Sequence, residues 1–279
     1  MNSHWQDLAR RKDEDINLLD AALLIARDEY PDLDPASYTA LCEQWRRQVA
    51  PQIERAGNQV DALQALNRFL YEEQGLAGND DDFYDPRNNY INQVLERRLG
   101  IPITLGLLQI DLASRLGLGI EGIAFPGHFL IRMPVQGGLM VLDPFQRGRS
   151  LDVGELRQRA QPHMAPDQDL GDQQLFKLLD AASHRSILTR MLRNLRSVYL
   201  DKNDLERALR CADRLLTIDP GQAMEYRERA RLYQALEYFP GVVRDLDRYL
   251  AMAPDADDAN VVRNALIQAQ GRLGRTRLH

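Results

Sequence analysis

The sequence predicts an α+β domain with a helical N-terminal part, followed by an all-α domain. Two observations carry this prediction. Short β-rich runs follow a helical first hundred residues, and the last third of the sequence repeats with a period of 34 residues. A length of 279 residues is sufficient for two domains. We place the first domain at 1–165 and the second at 175–279.

The composition argues against several classes of function. A net charge of −6 does not suit a protein that mainly grips nucleic acid or an anionic membrane. The N-terminus lacks a basic start followed by an apolar run, and no segment approaches the roughly 18 apolar residues of a membrane span. We expect a soluble, cytoplasmic protein with no membrane partner. Cys42 and Cys211 lie far apart and are expected to be free thiols.

The first third is predicted to be helical. A helical period covers 16–27 and stops before Pro31, and two more amphipathic helices are expected at 38–49 and 60–71. The polar segment 79–89 follows, and its carboxylates do not have the spacing of an EF-hand. We interpret this segment as helix caps and a solvated loop.

The centre of the sequence changes from helix to strand. Pro102 opens a continuously apolar helix, 103–116, which is expected to be central and buried. Three short runs then predict an antiparallel sheet packed on this helix: 120–125, 128–133 and 139–142. The polar segment 161–174 is predicted to link this domain to the next.

This central region contains the skeleton of an acyl-transfer active site. A helix start near Pro102, then His128 and then Asp143 follow in the order of a catalytic triad. A helix N-terminus favours a developing anion, and a carboxylate fixes the tautomer of an imidazole. The cysteine that would complete the triad is absent.

No metal or cofactor is predicted. The remaining histidines are scattered without a pair at zinc-ligand spacing. Gly117 and Gly119 lack both a third glycine and a preceding strand, so they indicate a helix end rather than a phosphate-binding loop.

The last third carries an internal repeat. Pro220 and Pro254 are 34 residues apart, as are Tyr199 and Tyr233, and this is the tetratricopeptide period. The pattern predicts two repeats and a capping helix at 258–273. Two interpretations remain open: a groove that holds a protein or peptide partner, or a support for the first domain.

A basic stripe lies on the first helix of the repeat region. Arg190, Arg193 and Arg196 recur every three residues and would suit RNA or an acidic peptide. Carboxylates are interleaved with them in the sequence, so we favour a solvated face with ion pairs inside the helix. A nucleic-acid partner is not expected.

Several motifs together resemble the bacterial Sir-type invasion-regulator family. They are Tyr84-Asp85-Pro86-Arg87-Asn88-Asn89-Tyr90, Val94-Leu95-Glu96-Arg97-Arg98-Leu99-Gly100-Ile101-Pro102-Ile103-Thr104-Leu105, Phe125-Pro126-Gly127-His128-Phe129-Leu130 and Leu142-Asp143-Pro144-Phe145. The resemblance covers nearly the whole sequence. It implies a transglutaminase-like (papain-like) domain followed by tetratricopeptide repeats, and it implies a fold more strongly than a reaction.

The resemblance also assigns roles around the central helix. Active relatives of this fold begin that helix with Gly-x-Cys, and the matching residues here are Gly100-Ile101-Pro102, so proline stands at the nucleophile. His128 and Asp143 match the histidine and the aspartate. We assign three candidate catalytic residues, and then five candidate residues of a ligand cleft: His128, Asp143 and Thr104, with Pro102, Asn88, Asn89, Phe125 and Gly127.

Thr104 has two interpretations. Its hydroxyl lies in the first helical turn and would act as a nucleophile if His128 activated it. Threonine near a helix start also caps backbone N–H groups, and its β-branch hinders attack. His128 and Asp143 would likewise suit a structural hydrogen bond that holds the fold together.

Two hypotheses therefore stand. In the first, which we prefer, the protein is a non-catalytic binding or regulatory module with a partner on its repeats. In the second, it is a hydrolase or acyltransferase on peptide or isopeptide bonds, with Thr104 as nucleophile, His128 as base and Asp143 as orienter. We predict that the Thr104 hydroxyl lies beyond hydrogen-bond reach of His128.

Overall fold

The computed structural model of the protein describes residues 2–164 and 170–276. These residues form two compact units. One runs from Lys12 to Met191, and the other combines the described residues before Lys12 with those after Met191. These units differ from the predicted boundaries, 1–165 and 175–279, in two places. The described residues before Lys12 belong to the unit that follows Met191, and the described residues from 170 to 191 belong to the unit that begins at Lys12.

The secondary structure is helical in both units, with short strands in the first. The α-helices are α1 (Asn2–Arg10), α2 (Leu18–Arg27), α3 (Pro35–Glu54), α4 (Gln59–Arg68), α5 (Ile91–Arg97), α6 (Pro102–Arg115), α7 (Val153–Ala160), α8 (Asp172–Leu178), α9 (His184–Asp201), α10 (Leu205–Ile218), α11 (Ala223–Ala235), α12 (Phe239–Met252) and α13 (Ala259–Thr276). The strands are β1 (Ala77–Gly78), β2 (Leu99–Gly100), β3 (Glu121–Ile123), β4 (Leu130–Val135), β5 (Gly138–Asp143) and β6 (Arg149–Ser150). The predicted fold class, α+β and then all-α, is confirmed.

Helix α6 is the centre of the α+β unit. It begins at Pro102, where a missing N–H removes no helical hydrogen bond, and every residue from Ile103 to Ala113 is buried. Gly106 makes close contact possible, since a Cβ there would lie 2.7 Å from Phe129 and 3.2 Å from Pro144. The predicted central helix is therefore confirmed, and its first turns lie against the residues that follow His128 and Asp143.

The sheet packed on α6 is antiparallel, as predicted. Its strand order is β3-β4-β5-β6, and Ile131 of β4 pairs with Leu142 of β5. β6 continues the sheet, with Arg149 opposite Asp143. This register places Asp143 at the end of β5 and His128 two residues before β4.

A second, two-stranded pair precedes α6. β1 and β2 are parallel, with Gly78 opposite Gly100. The ring of Phe145 covers this pair, because a Cβ on Gly78 would lie 2.5 Å from that ring. The turn after Asp143 therefore packs beside the residues that lead into α6. Strands of two residues carry no periodic signal, so sequence patterning does not predict them.

The segment 79–89 differs from the expected solvated loop. Asn79, Asp85, Asn88 and Asn89 are buried. The expected caps do form: Asp85 Oδ1 accepts the Arg87 N–H at 2.9 Å, and Asn79 Oδ1 accepts the Asp82 N–H at 3.2 Å. The solvated interpretation is wrong for these four buried residues, because polar side chains of this segment bond to the backbone and to one another inside the unit.

The predicted linker 161–174 is only partly a linker. Residues 165–169 lie outside the described residues. Leu170 and Leu175 both belong to the hydrophobic cluster that contains Ile123 and Phe125. Burial of these leucines extends the α+β unit beyond residue 165, since an apolar side chain gains about 1.5–3 kcal/mol by leaving water.

The second unit is a series of helices that pack in sequence. α10 packs on α11, α11 on α12, and α12 on α13. α1 packs on α10, and the Arg214 guanidinium lies 5.0 Å from the centre of the Trp5 ring. The N-terminal helix therefore extends the repeat unit, although we expected it in the first domain.

The basic stripe is mostly not a solvated face. Arg193 donates to Glu225 Oε1 at 2.7 Å, and Arg196 bonds the other oxygen of this buried carboxylate. These pairs join α9 to α11. The favoured interpretation, ion pairs inside the helix, is wrong for Arg193 and Arg196 because a buried acid on a neighbouring helix attracts both. Arg190 has a different partner in the α+β unit, described below.

Among residues 2–164 and 170–276, no helix combines the length and the hydropathy that a membrane crossing needs.

Candidate functional site

The start of α6 is closed by its own hydrogen bonds. Thr104 is 0% exposed, and its hydroxyl lies 2.9 Å from the Asn88 carbonyl oxygen and 3.1 Å from that of Ile101. The same Oγ1 accepts the Ile101 N–H at 3.1 Å. The hydroxyl thus has backbone partners for both its donor and its acceptor role, which is the arrangement of a helix cap.

Pro102 removes more than a nucleophile from this helix start. A residue at this position of an active enzyme supplies both its side chain and a backbone N–H for a developing oxyanion. Proline has neither. The Thr104 N–H is also occupied, because it donates to the Ile101 carbonyl at 3.1 Å. The first turn of α6 therefore offers little of what acyl transfer requires.

Asn88 and Asn89 lie beside this helix start but differ in their bonds. Asn88 Nδ2 donates to the Asp82 carbonyl at 2.7 Å, and its Oδ1 accepts from Asn79 Nδ2 at 3.0 Å. Asn89 is 1% exposed, and its Oδ1 has no hydrogen-bond partner within the described part of the sequence. Asn88 is a structural residue, whereas Asn89 is an unexplained buried amide.

The turn at 125–128, which we call the His128 turn, is held by contacts with its backbone. The His128 N–H donates to the Phe125 carbonyl at 3.1 Å, and Arg190 Nη1 donates to the same oxygen at 3.0 Å. Gly127 has a φ of +66°, and a Cβ there would lie 2.0 Å from Nε2 of His163. Glycine is thus required both by the left-handed backbone and by the imidazole that packs against it.

Asp143 is committed to partners other than His128. It is 4% exposed, and its Oδ1 accepts the Phe145 N–H at 2.9 Å and the Gln146 N–H at 3.3 Å. Its Oδ2 forms an ion pair with Arg159 Nη1 at 2.7 Å. Among the described residues, no hydrogen bond joins this carboxylate to the His128 imidazole, so the expected structural pair is replaced by an aspartate–arginine pair.

The electrostatic surroundings of His128 favour a neutral imidazole. Burial lowers its pKa from the ordinary 6.5, and electrostatic interactions with Arg159, His163 and Arg190 lower it further. Asp143 acts in the opposite direction but does not prevail. The protonated form of this half-buried histidine is therefore disfavoured by burial and by its electrostatic surroundings.

A buried series of side-chain hydrogen bonds supports the turn after Asp143. Tyr71 Oη donates to Gln109 Oε1 at 2.8 Å, and Gln109 Nε2 donates to Asn67 Oδ1 at 2.6 Å. Asn67 Nδ2 then donates to the Gly148 carbonyl at 3.1 Å. The Gly148 N–H closes the turn on the Asp143 carbonyl at 2.9 Å. These residues are far apart in the sequence, so no local pattern indicates the network.

Aromatic side chains border the same turn. The Phe145 ring contacts Phe83 edge to face at 5.7 Å between centroids, and Phe83 contacts Tyr84 at 5.4 Å. Phe83 and Tyr84 are exposed. Two exposed aromatic side chains therefore lie beside Phe145, in the turn that follows Asp143.

Asn88 bonds to Thr104 at the start of α6, and the residues that follow His128 and Asp143 pack on the same helix. Three further residues act on His128 or bond to its neighbours. Gly106 brings the neighbours of His128 and Asp143 onto the helix that begins at Pro102. Sequence patterning did not identify Arg159, His163 and Arg190 as part of this site. Each lies on an element whose orientation toward the His128 turn is set by the fold, so a linear motif would not find it.

Comparison with known proteins gives two domain matches. Residues 36–193 match the model of the Transglutaminase-like superfamily. Residues 195–267 match a Tetratricopeptide repeat model.

Several bacterial proteins match most of the sequence. The protein is 46% identical over 266 residues to a UPF0162 protein of Xylella fastidiosa strain Temecula1, covering 94% of this sequence and 93% of that protein. It is 33% identical to a UPF0162 protein of Pseudomonas aeruginosa, covering 85% of each. It is 25% identical to protein SirB1 of Salmonella typhimurium, covering 74% of this sequence and 75% of SirB1.

Proposed function

The protein belongs to the transglutaminase-like superfamily, and we propose that it acts without catalysis, as a regulatory module that binds a protein or peptide. The resemblance to the Sir-type family is confirmed by the likeness to SirB1. In this proposal the cleft at His128 and Asp143 is a ligand pocket. The repeat unit holds the larger partner, and a cytoplasmic location stays a prediction.

The start of α6 is the observation that carries this proposal. Proline stands where the fold's nucleophile would be, and the one hydroxyl of that turn, Thr104, is buried and bonded to Asn88 and Ile101. Attack by Thr104 would leave the Ile101 N–H without its acceptor. Leaving a buried donor unpaired costs about 1–3 kcal/mol, so this hydroxyl is a poor candidate for a nucleophile.

The arrangement of Asp143 supports the same proposal. A triad aspartate must accept from the imidazole to stabilise the imidazolium that forms when the base takes a proton. Here the carboxylate accepts from Arg159 and from two backbone N–H groups. His128 is left with a lowered pKa and no orienting partner among the described residues.

The repeat unit supports the binding half of the proposal. Helices stacked as tetratricopeptide repeats form extended surfaces that proteins use for recognition. The buried Glu225 joins α9 to α11 through Arg193 and Arg196, so these ion pairs hold the two helices together before any partner binds. Preorganisation of this kind favours affinity, since less side-chain freedom is lost in the complex.

An activity assay tests the absence of catalysis. The intact protein would be incubated with peptide amide, ester and isopeptide substrates, beside His128→Ala, Thr104→Val and Thr104→Ser. We expect no turnover above buffer from any of the four proteins. Turnover that Thr104→Val and His128→Ala both abolish, and that Thr104→Ser keeps, would identify an enzyme and refute the proposal.

A binding assay tests the other half. Proteins captured by the intact protein from a bacterial lysate would be purified and titrated against it. We expect at least one saturable complex, measured by calorimetry. If no purified candidate binds saturably, the proposed binding role is wrong.

A further inference from the structure

Two adjoining cavities lie in the α+β unit at the C-terminal half of α6, away from the start of that helix. Their volumes are about 430 Å³ and 300 Å³, and both are lined by Glu14, Leu18, Ile110 and His184. We call the two together the α6 cleft. None of the candidate catalytic or ligand-cleft residues lines it, so the α6 cleft is a different place from the site described above.

The buried lining of the larger cavity is apolar. Its large members are Leu18, Ile110, Ile120 and Ile187, each between 1% and 7% exposed. They come from α2, α6, the residue before β3, and α9, so the fold fixes their positions. An alkyl chain that enters this cavity would leave water for contact with carbon, which is favourable. The α6 cleft therefore suits a ligand with an aliphatic part.

The polar lining of the α6 cleft is acidic. Among the residues that the structure describes, no lysine or arginine lines it, whereas five carboxylates do: Asp13, Glu14, Asp15, Asp111 and Glu121. Three of these are already satisfied, because Asp13 accepts two N–H groups at the start of α9, and Asp111 and Glu121 pair with arginines outside the lining. Glu14 and Asp15 are exposed and form no hydrogen bond or ion pair with the described residues. Two negative charges thus lack a partner.

His184 adds a hydrogen-bond acceptor to this lining. Its Nδ1 lies 2.8 Å from the Ile16 carbonyl oxygen, which can only accept, so Nδ1 carries the proton of the neutral ring. Nε2 of that ring is then an acceptor, and it has no hydrogen-bond partner within the described part of the sequence. This half-buried imidazole calls for an N–H donor, independently of the carboxylates.

We propose that the α6 cleft binds a lysine side chain of a partner protein, held by Glu14, Asp15 and His184. The ammonium group supplies a positive charge and three N–H donors, which match two unpaired carboxylates and one imidazole acceptor. The methylene stem of the same side chain matches the apolar lining. The inference goes beyond the proposed function, because the α6 cleft shares no lining residue with the His128 turn.

A titration of the intact protein tests this inference. The ligands are acetyl-Leu-Lys-Leu-amide, acetyl-Leu-Gln-Leu-amide and spermidine, a free polyamine. Calorimetry would give the affinity, and the His184 imidazole NMR signal, assigned with His184→Gln, would give the location. We expect a saturable shift of His184 with the lysine peptide, about tenfold weaker binding of the glutamine peptide, and loss of affinity on addition of salt.

Variants of the lining separate charge from shape. Glu14→Gln removes an unpaired charge at an exposed position, so the dissociation constant of the lysine peptide should rise about fivefold. Ser114→Lys places an ammonium group of the protein itself at the cleft and should weaken binding more than Ser114→Gln, which is of similar size. Glu72→Gln is the matched control, because Glu72 is an exposed glutamate of the same unit outside the lining, and binding should not change.

Several results would overturn the inference. They are no saturable His184 shift with the lysine peptide, equal affinity for the glutamine peptide, equal effects of Glu14→Gln and Glu72→Gln, or equal effects of the two Ser114 substitutions. Spermidine that binds as tightly as the lysine peptide would also overturn it, since the cleft would then suit a free polyamine. Turnover dependent on His128 would refute the proposed function and leave this inference intact.

Discussion

The start of α6 and the His128 turn belong to the same site but use their polar groups in opposite ways. At the helix start, the Thr104 hydroxyl is consumed by backbone partners, and Pro102 offers no donor at all. At the turn, the His128 imidazole and part of the Arg159 guanidinium have no hydrogen bond with the described residues. The polar groups of the first region are used by the fold, whereas those of the second are the ones that the proposed binding role would use.

The difference shows how a fold can keep the positions of a catalytic triad while the groups at those positions take other partners. The positions of His128 and Asp143 follow from the packing of β4 and β5 on α6, so the fold keeps them in place whether or not they act together. What decides their chemistry is the partner of Asp143. With Arg159 in that place, the aspartate forms an ion pair beside a histidine whose pKa is lowered.

The largest effect is expected at the turn after Asp143. Gly148 has a φ of +70°, and a Cβ there would lie 2.5 Å from Asn67 Nδ2. Gly148→Ala should therefore combine backbone strain with a clash in the buried amide network, lowering the free energy of unfolding by about 2–4 kcal/mol. Urea denaturation followed by Trp45 fluorescence, in a Trp5→Phe background, measures this in the α+β unit.

Gly137→Ala is the matched control for that substitution. Gly137 has a φ of +85°, but nothing lies within 4 Å of a Cβ built there. It should cost about 1–2 kcal/mol from strain alone. Equal losses at Gly137 and Gly148 would mean that the Asn67 network does not fix the turn.

A smaller effect is expected at the helix start. Thr104→Val keeps the shape of the residue but leaves the Ile101 N–H without its acceptor. The free energy of unfolding should fall by about 1–2 kcal/mol, and less in Thr104→Ser, which keeps the hydroxyl. Peptide binding at the turn should not change in either variant. Unchanged stability in Thr104→Val would contradict a capping role.

The smallest effect is the contribution of His128 to the pH dependence of stability. Burial lowers its pKa in the folded protein, so the unfolded state holds this proton more tightly. The stability that depends on a neutral His128 should be fully present above pH about 6.5, and it should be lost as the pH falls toward the lowered pKa of the folded protein. Unfolding free energies between those values should show a shallower decline in His128→Gln. Identical declines in the natural sequence and in His128→Gln would show that His128 does not contribute to the pH dependence of stability.

Patterns within single elements predicted much of this fold. The apolar run after Pro102 indicated a buried helix, and the short β-rich runs indicated an antiparallel sheet, because periodicity reports which faces are buried. The pairing of Arg159 with Asp143 was not predictable. The two residues lie on separate elements, and their meeting depends on how α7 is oriented.

Polar segments were the other place where sequence patterns failed. Asn79 and Asn88 lie in a run that is rich in turn-forming residues, which usually indicates solvent exposure. They are buried because their amides bond to each other and to the Asp82 carbonyl. Side-chain bonds of this kind leave no period in the sequence, so burial of the segment followed only from the three-dimensional contacts.

The pKa of His128 tests the separation of the histidine from its aspartate most directly. It would be measured by NMR pH titration of the imidazole in the intact protein and in Arg159→Gln. We expect a pKa below the ordinary value of about 6.5 in the natural sequence, and a higher one in Arg159→Gln, because a positive charge that lowers it is removed. A pKa above 6.5 in the natural sequence, unchanged in Arg159→Gln, would show instead that Asp143 acts on His128 as in a working triad.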